Sequence, residues 1–414
     1  MKTKPELLSP VQDWISLKAA IDAGCDAVYF GVKGLNMRAN AKNFLLKELW
    51  KIVDFCHKKK VKAYLTLNTI VFDNEIDYLK KVISEAKAAK IDAIICWDLL
   101  VIDEAAKKKI PVFVSTQASI ANIEAAKVMH KKFGVKRVVL AREVPLPFIK
   151  RMVEQIHKEK LDIGIETFVH GAMCVSISGR CFMSQEVFGK SANRGACLQP
   201  CRRKYMIKDV EEGFEFELGE DYVMSPKDLC TIEFIDKLIE AGICSFKIEG
   251  RNRSAEYVKV VTECYREAID AYYAGRFNPE FAKILKQRLE TVYNRGFSTG
   301  FYLGKPVDEW AKVYGSKATN KKVLIGYVKN YYKKPKAVVI KLEQHSLKIG
   351  DELMIQGPTT GVVSEKIKTI HDEKGNLSRK VFKGKIISCN FSKIARRNDK
   401  VYLVVNKDIA GQFQ

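Results

Sequence analysis

Over the first 250 residues, short apolar runs alternate with amphipathic stretches of helical period. The runs Glu6–Ser9, Ala27–Phe30, Lys62–Leu67, Ala93–Trp97, Val112–Ser115, Arg137–Leu140, Asp162–Phe168 and Ser245–Ile248 read as strands. Between them, Trp14–Ala23, Leu46–Lys59, Glu75–Ala89, Ile120–Lys132 and Phe148–Lys158 read as helices. This alternation predicts a parallel sheet with helices outside it. Eight repeats in this length fit a closed (β/α)8 TIM-like barrel better than an open sheet, with Ala255–Tyr273 as the closing helix.

One interval breaks the rhythm. About 75 residues, 169–242, separate the seventh and eighth strands, and a helix, Thr231–Ala241, ends them. Long excursions from strand C-termini build the active face of such a barrel. Residues 1–275 are therefore assigned to the barrel, and 276–320 to a helical, then glycine-rich connector. Residues 321–414 follow as a small all-β barrel domain. Its strands are expected at Val323–Val328, Ala337–Leu342, Glu352–Ile355, Lys366–Ile370, Val381–Ile387 and Lys400–Val405.

The interruption carries the chemistry. Cys174, Cys181, Cys197 and Cys201 fall within 28 residues, among glycines and arginines. Thiolates ligate both structural zinc and iron–sulfur clusters, and spacing alone does not separate the two. The other cysteines (Cys25, Cys56, Cys96, Cys244, Cys264 and Cys389) stand alone in apolar or helical settings and read as core residues. Eleven cysteines with no apolar leader at the N-terminus point to thiols and metal in a cytoplasmic protein, not a disulfide framework. No apolar run is long enough to span a membrane. The net charge of +22, from 71 basic and 49 acidic residues, suits a polyanion such as nucleic acid. A lysine-rich surface with no such partner would give the same surplus.

The run Glu166-Thr-Phe-Val-His-Gly-Ala-Met-Cys174, with Ser178-Gly-Arg-Cys181 and Ser184, resembles the signature of the U32 family, the collagenase-like peptidases. Asp26-Ala-Val-Tyr-Phe-Gly31, Ser115-Thr-Gln117, Ser245-Phe-Lys-Ile-Glu-Gly-Arg251 and Arg295–Gly304 agree with it. The resemblance runs from about Glu6 to Pro306. It implies a 4Fe–4S cluster on the four cysteines, with Cys230 as an alternative ligand because the family varies in its fourth. It also implies an RNA hydroxylase, acting on tRNA wobble uridine or on a ribosomal RNA cytidine, with prephenate as the hydroxyl donor. The retained pair in Asn193-Arg-Gly-Ala-Cys-Leu-Gln-Pro-Cys201 and the added β domain follow the tRNA-type pattern.

Polar residues at or after the strand ends supply the remaining candidates. Glu166, His170, Arg180, Lys247, Glu249 and Arg251 form the candidate catalytic set. Asn36, Arg38, Asn68, Gln117, Arg142, Glu143 and Arg202 are candidates for binding substrate. Arginine grips carboxylates and phosphates bidentately, so this set suits a small dicarboxylate or an extruded nucleotide. A peptidase reading has less behind it. His170 is the sole histidine near the cysteines, and no HExxH motif occurs. The expectation is an enzyme that hydroxylates tRNA or rRNA. The rivals are a U32 peptidase and a non-catalytic RNA-binding accessory protein with structural metal.

Overall fold

The computed structural model describes residues 3–177, 180–208, 210–213, 215–217, 224–305, 309–311, 313 and 315–407. Ser178 and Gly179 of the cysteine motif lie outside the described residues, as does much of 209–223. Eight parallel strands follow one another around a barrel: β1 (Glu6–Pro10), β2 (Ala27–Phe30), β3 (Lys62–Thr66), β4 (Ala93–Cys96), β5 (Val112–Val114), β6 (Arg137–Val139), β7 (Gly164–Ala172) and β8 (Ser245–Ile248). β8 pairs with both β1 and β7, which closes it. Outside run α1 (Trp14–Asp22), α2 (Leu49–Lys58), α3 (Ile76–Ala88), α4 (Leu99–Lys107), α5 (Ile123–Phe133), α6 (Leu146–Lys158), α7 (Ile235–Glu240) and α8 (Ala255–Tyr273). Polar caps fix where several of them start. Asn122 accepts from the Ala125 amide at 2.8 Å, so α5 begins later than the expected Ile120.

Side chains two apart on a strand share a face, so each barrel strand sends one set inward. The lower interior is charged. Arg137 Nη1 donates to Glu6 at 2.6 Å and to Glu166 at 3.0 Å, and Lys247 Nζ donates to Glu166 at 2.8 Å. Opposite charges alternate up this chain, as burial requires. Leu8, Ala27, Ala93, Tyr64 and Phe113 pack beside it. Above them Tyr29, Thr66, Ile95, Ser115, Val139, Phe168, Lys247 and Glu249 reach the mouth.

β7 runs past its expected end at Phe168, because Gly171 and Ala172 pair antiparallel with a short strand, Asp228–Cys230. That strand pairs in turn with Phe297–Ser298. A bulge lies in β7: Lys247 faces Phe168, but Ile248 faces His170. The extra residue turns His170 to the outer side with Ile248, against Tyr257 and Tyr265 of α8. Asp228 accepts from Arg295 Nε at 3.0 Å, and both side chains are buried. The Tyr302 hydroxyl donates to the Phe168 carbonyl oxygen. The glycine-rich connector, reached through α9 (Pro279–Glu290), is thus a brace for β7 rather than a loose link.

The C-terminal part is a seven-stranded antiparallel sheet over one apolar core. Its strands are β9 (Asn320–Tyr332), β10 (Ala337–Leu342), β11 (Glu352–Gly357), β12 (Gly361–Lys366), β13 (Ile370–His371), β14 (Ile386–Asn390) and β15 (Lys400–Asn406), in the order β12-β11-β15-β9-β10-β14-β13. Two expected strands are divided. The Lys366–Ile370 run is split between Gly361–Lys366, which turns back on β11, and β13, and the Val381–Ile387 run between Lys380–Val381 and Ile386–Asn390, with a turn at Gly384 (φ +87°) between them. The sheet docks on the barrel through Glu256 of α8, which accepts from Lys322 at 2.8 Å and Gln356 at 2.9 Å. Among the described residues no helix is long and apolar enough to cross a membrane.

Candidate active site at the barrel mouth

The upper inward layer of the barrel and the cysteine insertion enclose one pocket of about 140 Å³. One water needs roughly a tenth of that space, so the pocket has room for a small ligand. Its floor is Tyr29, Thr66, Phe168 and Lys247; its walls are Arg38, Asn68, Gln117, Arg142, Glu249 and Arg251; its roof is the insertion.

The charges are ordered by one another. Arg38 donates to Glu249 through Nη2 at 2.7 Å and Nε at 3.2 Å. Burial alone would raise the Glu249 carboxyl, but the guanidiniums of Arg38, Arg142 and Arg251 outweigh it and hold the group at about 2. Arg251 donates to Thr66 at 2.7 Å and Asn36 at 3.2 Å, and burial, aided by Arg38, pulls it down to about 10. Gly31 makes room for this pairing, since a Cβ there would lie 2.8 Å from Arg251 Nη1. Burial also lowers the Lys247 ammonium, with Glu166 opposing. Arg142 stacks 4.0 Å over the Phe168 ring. Arg142 and Arg202 both line the pocket, and each has a buried Nε with no hydrogen-bond partner among the described residues. Unsatisfied buried donors at a pocket wall are what an anionic ligand would complete.

All four clustered cysteines line this pocket. Cys174 and Cys197 are exposed, and Cys181 and Cys201 are half-buried. Burial raises the Cys201 thiol; Arg202 opposes, while Cys174, Cys197 and Cys181 are near enough to add to the rise. The insertion is shaped by its own polar residues. Ser184 Oγ accepts from the Leu198 amide at 2.8 Å, and Asn193 Oδ1 from the Cys181 amide at 3.1 Å. Gly195 (φ +83°) lies so close to the loop after β2 that a Cβ would sit 2.2 Å from the Asn36 carbonyl oxygen. Among the described residues, no three of His, Cys, Asp and Glu converge on one point as a single metal ion would require.

Several residues expected at the mouth stand elsewhere. Glu166 lies one inward layer below Phe168, fully buried between Arg137 and Lys247. His170, turned outward by the bulge, sits among Tyr257, Tyr265 and Phe297, and burial pulls it down to about 4. Glu143 is exposed and does not line the pocket. Asn36 spends both amide hydrogens on the carbonyls of Val32 and Gly34 and its oxygen on Arg38 and Arg251, so it positions arginines and has nothing left for a ligand. Arg180 lines a neighbouring hollow, not the mouth. Cys230 is buried beside the Tyr265 hydroxyl, away from the pocket, and burial raises its thiol to about 12. Tyr29, Thr66, Phe168 and Asn252 line the pocket but were not expected there. The period-two alternation of the strands contains the signal for the first three.

A profile of peptidase family U32 matches residues 12–312. A collagenase of Porphyromonas gingivalis is 43% identical over 96% of this chain and 97% of its own length. A tRNA hydroxylation protein of Bacillus subtilis is 38% identical over 90% of this chain and 88% of its own. The 23S rRNA 5-hydroxycytidine synthase of Escherichia coli is 40% identical over 66% of this chain and 40% of its own length.

Proposed function

The chain belongs to peptidase family U32, and on that footing we propose that it is an iron–sulfur RNA hydroxylase that converts the wobble uridine of tRNA to 5-hydroxyuridine in the cytoplasm. Relatives named for tRNA hydroxylation and for rRNA hydroxycytidine synthesis support RNA hydroxylation as the reaction class. The observation that carries the reading is one pocket lined by four cysteines on one side and by Arg38, Arg142, Arg202, Arg251 and Lys247 on the others.

Cys174, Cys181, Cys197 and Cys201 would hold a 4Fe–4S cluster. All four thiols line one pocket, and four thiolates are the usual ligand set of such a cluster. When bound, the cluster would supply electron transfer or activation of the substrate. Arg142 and Arg202 would bind the carboxylates of a small dicarboxylate, prephenate in this proposal, through their unsatisfied Nε donors. Glu249, held ionised, would keep Arg38 in place, and Lys247 would present its ammonium at the floor.

The collagenase name of one relative favours a second reading, a peptidase. A thiol protease pairs its nucleophile with a histidine. Among the described residues no histidine lines the pocket, and His170 is buried behind it.

Anaerobic purification tests the proposal. Brown protein with about four irons per chain is expected. Cys174→Ala and Cys181→Ala should remove the colour, while Cys96→Ala and Cys264→Ala should keep it. Colourless protein with stoichiometric zinc would contradict the cluster. Casein cleavage that survives removal of iron would favour the peptidase.

A further inference from the structure

Beside the mouth lies a second hollow of about 220 Å³, lined by Met37, Ile70, Trp97, Gln117, Arg180 and Phe182. Met37 and Gln117 belong to both cavities and form the wall between them. The far walls are flat. The Arg180 guanidinium lies 4.8 Å above the Trp97 ring and donates to the Gln117 carbonyl oxygen. The indole is fixed in turn, because Trp97 Nε1 donates to the Asn68 carbonyl oxygen at 2.9 Å. Phe182 is 75% exposed. Its ring lines the hollow and is open to solvent. One more arginine–aromatic pair borders the hollow: Arg194, which donates to the Ile70 carbonyl oxygen, lies 4.2 Å from the Phe72 centroid.

Guanidiniums stacked on aromatic rings beside a cationic mouth match a polyanion that carries flat rings of its own. Unpaired RNA bases stack on aromatic side chains and on guanidinium planes, while phosphates pair with the cations. An apolar protein segment would use Phe182 but would leave the guanidiniums unmatched. Resting on the RNA reading above, we propose that this hollow is a stacking subsite for the unpaired nucleotide next to the base held at the mouth. The shared Met37–Gln117 wall then separates two neighbouring bases of one single-stranded loop. The enzyme would read a splayed loop rather than a duplex.

Fluorescence anisotropy with a labelled RNA hairpin, its loop carrying the target uridine, tests the subsite. Two companion hairpins are abasic at the loop position on either side of that uridine. Phe182→Ala should weaken the intact hairpin by about tenfold, the scale of one lost base–aromatic stack. One abasic hairpin should bind the unaltered protein about as weakly, and Phe182→Ala should cause no further loss on it. Arg180→Lys, which keeps the charge but not the plane, should show the same pattern. Unchanged affinity for the intact hairpin, or equal losses on intact and abasic RNA, would overturn the subsite and leave RNA hydroxylation standing. If the unaltered protein binds none of the hairpins at low salt, the RNA reading falls and the subsite falls with it.

Discussion

Arg202 Nη2 donates to the carbonyl oxygen of Met173 across 2.6 Å. The residue directly after Cys201 therefore grips the residue directly before Cys174. Nη1 of the same guanidinium holds Ser225 and the Pro226 carbonyl, each at 2.9 Å. Arg142 adds a bond to the next carbonyl back, that of Ala172. Arg202 thus ties the Cys201 loop to the Cys174 loop, and Arg142 holds the backbone just before Cys174.

Arg202→Lys keeps the charge but cannot span three acceptors. A hydrogen bond to a charged group contributes about 1.5–3 kcal/mol. Iron should pass to a chelator roughly tenfold faster or more, with the circular dichroism spectrum unchanged. Iron retention equal to that of the unaltered protein would count against the clamp.

Gly195→Ala should undock the insertion, since its Cβ would meet the Asn36 carbonyl oxygen at 2.2 Å. Gly189 is the matched control: it also has positive φ (+62°), but open space surrounds its Cβ position. Gly189→Ala should cost only backbone strain, about 1–2 kcal/mol. Iron content after purification separates the two, and similar losses in both variants would contradict the docking contact.

His170 makes an acid-sensitive core. Burial holds it at about 4, below its ordinary 6.5. As pH falls, the unfolded chain takes up this proton first. The stability from the neutral ring is therefore complete above about 6.5 and is lost as pH falls through about 4. The effect is on the order of 3 kcal/mol. The melting temperatures of the unaltered protein and of His170→Gln should converge between neutral pH and pH 4. Parallel curves would mean that the ring is not held neutral.

Arg295→Met leaves the Asp228 carboxylate buried without its partner. Loss of one member of a buried pair costs about 3–5 kcal/mol. Urea unfolding should report a loss of that size, with part of it recovered by Asp228→Asn in the same chain. A loss under about 1 kcal/mol would place the pair among exposed bridges.

Much of this was legible in the sequence because it rests on period and residue type. Inward positions repeat every second residue, which sets the barrel strands and the cationic floor at Lys247. Four cysteines in a strand-to-strand excursion mark the roof. What was not legible depends on register. A single bulged residue after Phe168 decides that His170 faces α8 rather than the mouth. Depth along one strand puts Glu166 in a lower layer than Phe168, although both point inward. Asp228–Cys230 is too short and too polar at its start to read as a strand, yet it extends β7 toward the thiols. Arg202 reads from the sequence as a substrate ligand, and its further role in joining the cysteine loops exists only once the chain is folded.

Nucleoside mass spectrometry of tRNA and rRNA from a deletion strain tests the central claim most directly. The account expects 5-hydroxyuridine to vanish from tRNA. It should return with the unaltered gene and not with Cys174→Ala, and ribosomal RNA should be unchanged. Loss of hydroxycytidine from ribosomal RNA instead would move the substrate. A nucleoside profile identical to that of the parent strain would contradict RNA hydroxylation.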